Sequence, residues 1–275
     1  MRTLVHLSDL HFGRVDAALL APLREEIERI APDVVVVSGD LTQRAKSEEF
    51  EAARAYLDTL PGPQIIVPGN HDISFYNVFR RFVQPLKRYK RYITDDLDPI
   101  HVDDEIAVLG INTARSLTFK DGRINDEQVA KMREELAGLD PAITRVVVTH
   151  HPFDLPRTAK DADLVDRAPM AMKAFAESGV DLLLAGHLHV SRADNTAERY
   201  PFSEYAALVI QAGTATSTRG RGEVNSFNAI RVEQARVEVD RYGWDEGSAR
   251  FAKVTTEMFT RSEGVWAAHS GGLLV

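Results

Sequence analysis

Six short apolar runs punctuate the first two thirds of the chain: Thr3 to Leu7, Val34 to Val37, Gln64 to Val67, Ile106 to Ile111, Arg145 to Thr149 and Leu182 to Ala185. Each is too short for a typical helix and is closed by a polar cluster, the pattern of a strand buried on both faces. Between them the apolar residues change to helical spacing. Phe50, Ala53, Leu57 and Leu60 follow Ser47, the expected N-cap, while Val129, Met132, Leu136 and Leu139 follow Asn125, with Gln128 placed for a capping box. A third helix is expected from Pro169 to Ser178, since proline suits a first helical turn and Gly179 suits the residue after an end. Alternating strands and helices predict an α/β sheet. Beyond His189 the texture changes. Ala206 to Gln211, Phe227 to Val232, Arg236 to Arg241 and Phe251 to Met258 are β-rich with no strong helix between them, and are expected to add strands to a second sheet. Thr214 to Gly222 reads as a loop of low complexity.

Composition narrows the chemistry. A chain of 275 residues, 44% of them hydrophobic, can bury a large core, and one domain over 1–275 is the expectation. It has no cysteine, so a metal site would use only nitrogen and oxygen ligands. The start, Met1-Arg2-Thr3-Leu4-Val5-His6, is too polar for a signal peptide, and no apolar run is long enough to span a bilayer, so a cytoplasmic location is expected. The net charge of −8 argues against a broad grip on a nucleic-acid backbone, and no stable nucleic-acid partner is expected.

Polar clusters suited to metals sit where the apolar runs stop: Asp9-Leu10-His11, Gly39-Asp40, Gly69-Asn70-His71-Asp72, His150-His151 and Gly186-His187-Leu188-His189. In open α/β sheets the loops beyond the strands' carboxyl ends converge on one crevice, so five separated clusters can form one site. Residues two apart on an extended segment project to the same side, and Asp9 with His11, or His187 with His189, can therefore supply two ligands each. The glycines before Asp40, Asn70 and His187 allow close backbone approach. Seven ligand side chains are too many for one ion. Two ions sharing the Asp40 carboxylate accommodate them, at the roughly 4 Å spacing of two-metal hydrolases. His6, His101 and His269 read as ordinary surface or core histidines.

These motifs, D-x-H, G-D, G-N-H-D, H and G-H-x-H, strongly resemble those of the calcineurin-like metallophosphoesterases over Leu4 to Val190. The resemblance implies two β-sheets packed face to face and flanked by helices, a four-layer α/β/β/α sandwich, with the metals above the strand ends. It implies one ion held by Asp9, His11, Asp40 and His189 and another by Asp40, Asn70, His150 and His187. His150 is preferred to His151 because it comes first after its strand. Manganese, iron and zinc all suit such ligands. Two bound cations would lower the pKa of a shared water, giving a hydroxide that attacks phosphorus. His71 would meet the phosphate and protonate the leaving oxygen. Asp72 would either orient His71 or cap the segment that follows. Arg44 and Arg115, each just after a strand end, are candidates to fork onto phosphate oxygens, with Arg14 a weaker one.

For substrate, Asp-Leu-His-Phe-Gly and Gly-His-Leu-His-Val are most similar to bacterial class III cyclic-nucleotide phosphodiesterases and their glycerophosphodiester-cleaving cousins, with a homodimer the expectation from such relatives. The most individual stretch is Phe75 to Ile93, within a cap-like segment at about 74–93. There Arg80, Arg81, Lys87, Arg88, Lys90 and Arg91 interleave with Phe75, Phe79, Phe82, Leu86 and Tyr89, and Pro85 is expected to kink the helix. It could rest on an anionic membrane or seat a lipid substrate, as in relatives that hydrolyse UDP-linked diacylglucosamine, or it could pack as a cap on the domain. The β-rich C-terminal part spans about 190–260. A DNA repair nuclease and a non-catalytic scaffold on the same fold are weaker readings, the first against the acidic charge and the second against the complete ligand set.

Overall fold

The computed structural model describes residues 1–74, 78–116, 121–155, 163–218 and 222–269. Two mixed sheets lie face to face. The first has the order β13-β12-β11-β10-β1-β2-β3, built from β1 (Arg2–Leu7), β2 (Val34–Ser38), β3 (Gln64–Val67), β10 (Ser226–Glu233), β11 (Arg236–Asp245), β12 (Arg250–Ser262) and β13 (Val265–Ala268). The second has the order β4-β5-β6-β7-β9-β8, from β4 (Ile100–Val102), β5 (Ile106–Gly110), β6 (Thr144–Val148), β7 (Leu182–Ala185), β8 (Arg192–Asn195) and β9 (Leu208–Gln211). The strands expected from the six apolar runs form the parallel part of each sheet, β1-β2-β3 at one end of the first and β5-β6-β7 within the second.

Alternation along these strands sorts their side chains between layers. Leu4, Val34, Val36, Val108, Val146 and Leu184 point into the core between the sheets, while Val5, Leu7, Val35 and Val37 face outward onto helices. α1 (Ala17–Ile30) and α2 (Ser47–Leu57) cover the first sheet; α5 (Asp126–Ala137) and α6 (Ala168–Glu177) cover the second. Four layers result. Both faces of each central strand are buried, which is why the runs are continuously apolar.

Two local expectations change, one helix is added, and the basic stretch breaks at the expected proline. Lys46, rather than Ser47, is the N-cap of α2, and Glu49 there accepts from the Arg44 and Lys46 amides. The C-terminal strands do not all join one added sheet: β9 runs parallel beside β7, whereas β10 pairs antiparallel with β1 and carries β11 to β13 outward. α1 adds a helix whose buried stripe, Leu19, Leu23 and Ile27, follows an N-cap at Asp16. The basic stretch is two short helices, α3 (Val78–Val83) and α4 (Lys87–Tyr92), separated at Pro85. Tyr89 and Tyr92 of α4 pack on Phe50 of α2. Phe75 lies outside the described residues, as does 219–221 of the low-complexity loop. Among the described residues no helix is long and apolar enough to cross a membrane.

Candidate metal centre

The loops after β1, β2, β3, β6 and β7 meet at one end of the sandwich and bring all seven candidate ligands together. They fall into two lobes. In the first, Asp9 Oδ1 lies 3.1 Å from His189 Nε2 and 3.5 Å from His11 Nε2, and His11 Nε2 is 3.8 Å from Asp40 Oδ2. In the second, Asn70 Oδ1 is 3.1 Å from both His150 Nε2 and His187 Nδ1, and His150 Nε2 is 3.4 Å from Asp40 Oδ1. Asp40 therefore turns one oxygen to each lobe. Asp9, His11, Asp40, His150 and His189 are all buried.

The backbone is strained to make this convergence. Asp9, His11, Asp40, His187 and His189 all have positive φ, between 51° and 70°. Non-glycine residues enter that region at a cost, and such strain concentrates at functional sites. Two glycines are required by contact rather than by φ. A Cβ on Gly69 would collide with Asp40, and one on Gly186 would collide with the Ser8 hydroxyl.

Neighbouring groups hold each ligand in one orientation. Asp9 Oδ2 accepts from the Ser8 hydroxyl at 2.6 Å and the His187 amide at 3.1 Å, leaving Oδ1 toward the histidines. His150 Nδ1 donates to the Ser38 carbonyl at 2.7 Å, which fixes the tautomer with Nε2 facing Asn70 and Asp40. This arrangement, one ring nitrogen on a carbonyl and the other in the site, is that of metal-bound imidazoles. His151 is instead held through Nδ1 by the Thr113 hydroxyl at 2.8 Å, its ring 4.7 Å from that of His187.

The electrostatics fit cations. Burial pushes Asp9 and Asp40 upward, but the nearby histidines outweigh it and hold both carboxyls well below the usual range, His189 acting on Asp9 and His150 on Asp40. Burial drives His150 down, yet Asp40 and Asp9 raise it to about 9. His187, desolvated and repelled by His150, falls to about 3. Asp9 Oδ1 is buried without a hydrogen bond while two imidazole nitrogens face it. Converging lone pairs of this kind are satisfied by a cation, and loading would displace a proton from His150.

His71 and Asp72 take different places. His71 is half-buried, edge-on to His11 with ring centroids 5.0 Å apart; its amide donates to Asp40 Oδ1 at 2.8 Å, and its Nδ1 donates to the Gln43 carbonyl at 2.9 Å. Asp72 lies under the loops. It accepts from the amides of Gly69 (2.9 Å), Leu41 (3.2 Å) and Thr42 (2.9 Å) and from the Thr42 hydroxyl (2.9 Å). Burial and the Asp40 charge raise it to about 6 against those donors. Its bonds hold the loop after β2 and Gly69 rather than the segment that follows, and the Gln43 carbonyl orients His71. These bonds make Asp72 a positioning residue for the loops that carry Asp40 and His71.

The arginines are also redistributed. Arg115 donates to the Asn112 and Ala114 carbonyls at 2.9 Å and to the Gln128 amide oxygen, tying the β5 loop to α5 rather than reaching into the lobes. Arg44 is exposed, and its amide joins the α2 cap. Among residues that sequence reasoning passed over, Ser8 and Thr113 each border a motif residue or strand end, but nothing in their identity signals the bond they make. Gln43 acts through its carbonyl, which no side-chain pattern can show.

Residues 2–191 match the calcineurin-like phosphoesterase family. A glycerophosphodiester phosphodiesterase of Enterobacter lignolyticus is 28% identical over 204 residues, covering 62% of this chain and 68% of that protein. A probable cyclic nucleotide phosphodiesterase of Synechococcus is 23% identical over 199 residues, covering 68% and 73%. A shorter stretch of 76 residues, 26% of this chain and 23% of the relative, is 34% identical to a UDP-2,3-diacylglucosamine pyrophosphatase of Chlamydia trachomatis. Among solved structures, PhoD superposes with a TM-score of 0.73 at 10% identity, covering 99% of this chain and 73% of that one, and a dimetal phosphatase of Danio rerio with 0.66 at 13%, covering 92% and 98%.

Proposed function

The chain belongs to the calcineurin-like phosphoesterase family and is a phosphoric ester hydrolase, and from that premise we propose that it cleaves small phosphodiesters at a two-metal centre. The observation that carries the reading is the Asp40 carboxylate, one oxygen 3.8 Å from His11 in the lobe that holds Asp9 and His189, the other 3.4 Å from His150 in the lobe that holds Asn70 and His187. These residues would hold two ions, for which manganese, iron and zinc are suited. Bound there, a metal pair supplies positive charge to the phosphate oxygens and makes water acidic enough to attack at neutral pH.

The chain's own part is positioning and proton transfer. Ser8 and Ser38 fix the Asp9 carboxylate and the His150 ring. His71, with Nδ1–H on the Gln43 carbonyl, leaves Nε2 for the substrate; as the imidazolium it gives the Nε2 proton to the departing oxygen and is left as the neutral Nδ1–H tautomer. The phosphodiesterase relatives support a diester substrate, with cyclic nucleotides and glycerophosphodiesters as the first two classes. The pyrophosphatase relative, together with the basic helix α4, favours a UDP-linked diacylglucosamine as a second reading.

The test is hydrolysis of a chromogenic diester against its monoester by manganese-loaded protein. Wild type should prefer the diester. Asp40→Ala should lose both metal and turnover, whereas His71→Ala should keep its metal and lose about 10²–10⁴ in kcat. If His71→Ala lost metal as completely as Asp40→Ala, the division between ligand and acid would be wrong.

A further inference from the structure

A cavity of about 690 Å³ lies against α4, within the span of about 300–1,000 Å³ typical of small-molecule sites. We propose that it is the second half of the substrate site, taking an apolar ester group that carries a further anionic substituent. The inference rests on the phosphodiesterase reading above and names the chemistry of the group attached to the phosphate.

Its apolar lining includes Ile73, Pro85, Leu86, Leu97 and Ala114. Ile73, Leu86 and Ala114 are buried members of the core beneath α1 and α2, and Leu97 packs on that core. Lining fixed by a core is already shaped before a ligand arrives, which lowers the ordering cost of binding. The charged border is mainly cationic. Lys87, Lys90 and Arg91 are exposed there, and Arg115 adds a guanidinium held in place by the Asn112 and Ala114 carbonyls. Among the described residues the lining has one carboxylate, Asp95. Four cations against one acid reverse the sign of a chain whose net charge is −8, a local field suited to an anion. Arg88 is turned elsewhere, donating to the Ala45 carbonyl at 2.6 Å.

Two segments of the lining continue directly from the candidate centre. Ile73 follows His71 and Asp72, while Asn112, Ala114 and Arg115 flank Thr113, whose hydroxyl holds His151. An apolar cavity with a cationic border, joined by sequence to both sides of the site, matches an amphipathic ester better than it matches glycerol or another fully polar alcohol.

Calorimetry on the manganese-loaded protein with methyl phosphate, octyl phosphate and 7-carboxyheptyl phosphate tests this. Octyl phosphate should bind at least about tenfold more tightly than methyl phosphate, because each buried methylene contributes favourably. The terminal carboxylate should add a few-fold more. Lys87→Glu with Lys90→Glu, both at exposed positions, should abolish only that last gain, and Leu97→Asp should abolish the gain from the chain. Equal affinity for methyl and octyl phosphate would overturn the proposal, as would a charge reversal that weakened methyl phosphate as much as the carboxylated ligand. Turnover of ethyl p-nitrophenyl phosphate reports separately on the phosphodiesterase reading, since the affinity series requires no hydrolysis.

Discussion

At the scale of single residues, the centre is built from side chains whose backbones resist their conformation. Asp9 sits at φ 55° and His11 at 51°. An αL conformation costs a non-glycine residue on the order of 1–3 kcal/mol, while glycine adopts it freely. The ligands therefore trade stability for geometry, and a substitution experiment can separate the two. With chelator present throughout, Asp9→Gly should be about 1 kcal/mol more stable to urea than Asp9→Ala, even though both have lost the ligand and glycine has the more flexible unfolded state. Equal midpoints would show that the Asp9 backbone carries no strain. Residue identity made the ligands legible in the sequence, since Asp, His and Asn at strand ends have few other reasons to cluster. The strain was hidden, because φ at Asp9 or His187 depends on where the neighbouring loops press.

Among elements, the loop after β2 and the turn at Asn70–Asp72 act as one unit through a single carboxylate. Asp72 accepts from the amides of Leu41, Thr42 and Gly69. Asp72→Ala should strand these buried donors at about 1–3 kcal/mol each, less whatever water recovers. We expect a loss of about 3 kcal/mol in denaturant unfolding and a fall in kcat greater than any change in KM, because Asp40 and His71 flank the same loops. A variant as stable as wild type would refute that role. The elements themselves were largely readable. Central strands announced themselves by unbroken apolar runs, and α5 by Asn125 and Gln128, which form the expected reciprocal box. α2 was displaced by one residue because Glu49 caps through its side chain from inside the helix. The split of the C-terminal strands between two sheets was not readable, since alternation specifies a strand's faces and not its partner.

Over the whole molecule, the candidate ligands are divided between the sheets: Asp9, His11, Asp40 and Asn70 follow strands of the first, and His150, His187 and His189 follow strands of the second. Cations at the centre would clamp one sheet to the other. Metal held at 100 times its dissociation constant stabilises a fold by about 2.7 kcal/mol, and chelation should lower the melting temperature by about 5–10 °C. An unchanged melting temperature, with metal removal verified by elemental analysis, would mean that packing between the sheets suffices. The order of strands has a further consequence, for synthesis. β1 is flanked in the finished sheet by β2, made almost at once, and by β10, which begins more than two hundred residues later. At a ribosomal pace of 5–20 residues per second, one edge of β1 waits roughly 10–40 s for its neighbour. During that interval a nascent chain displays an open strand margin, and the hazard it presents to other nascent chains ends only when β10 has emerged.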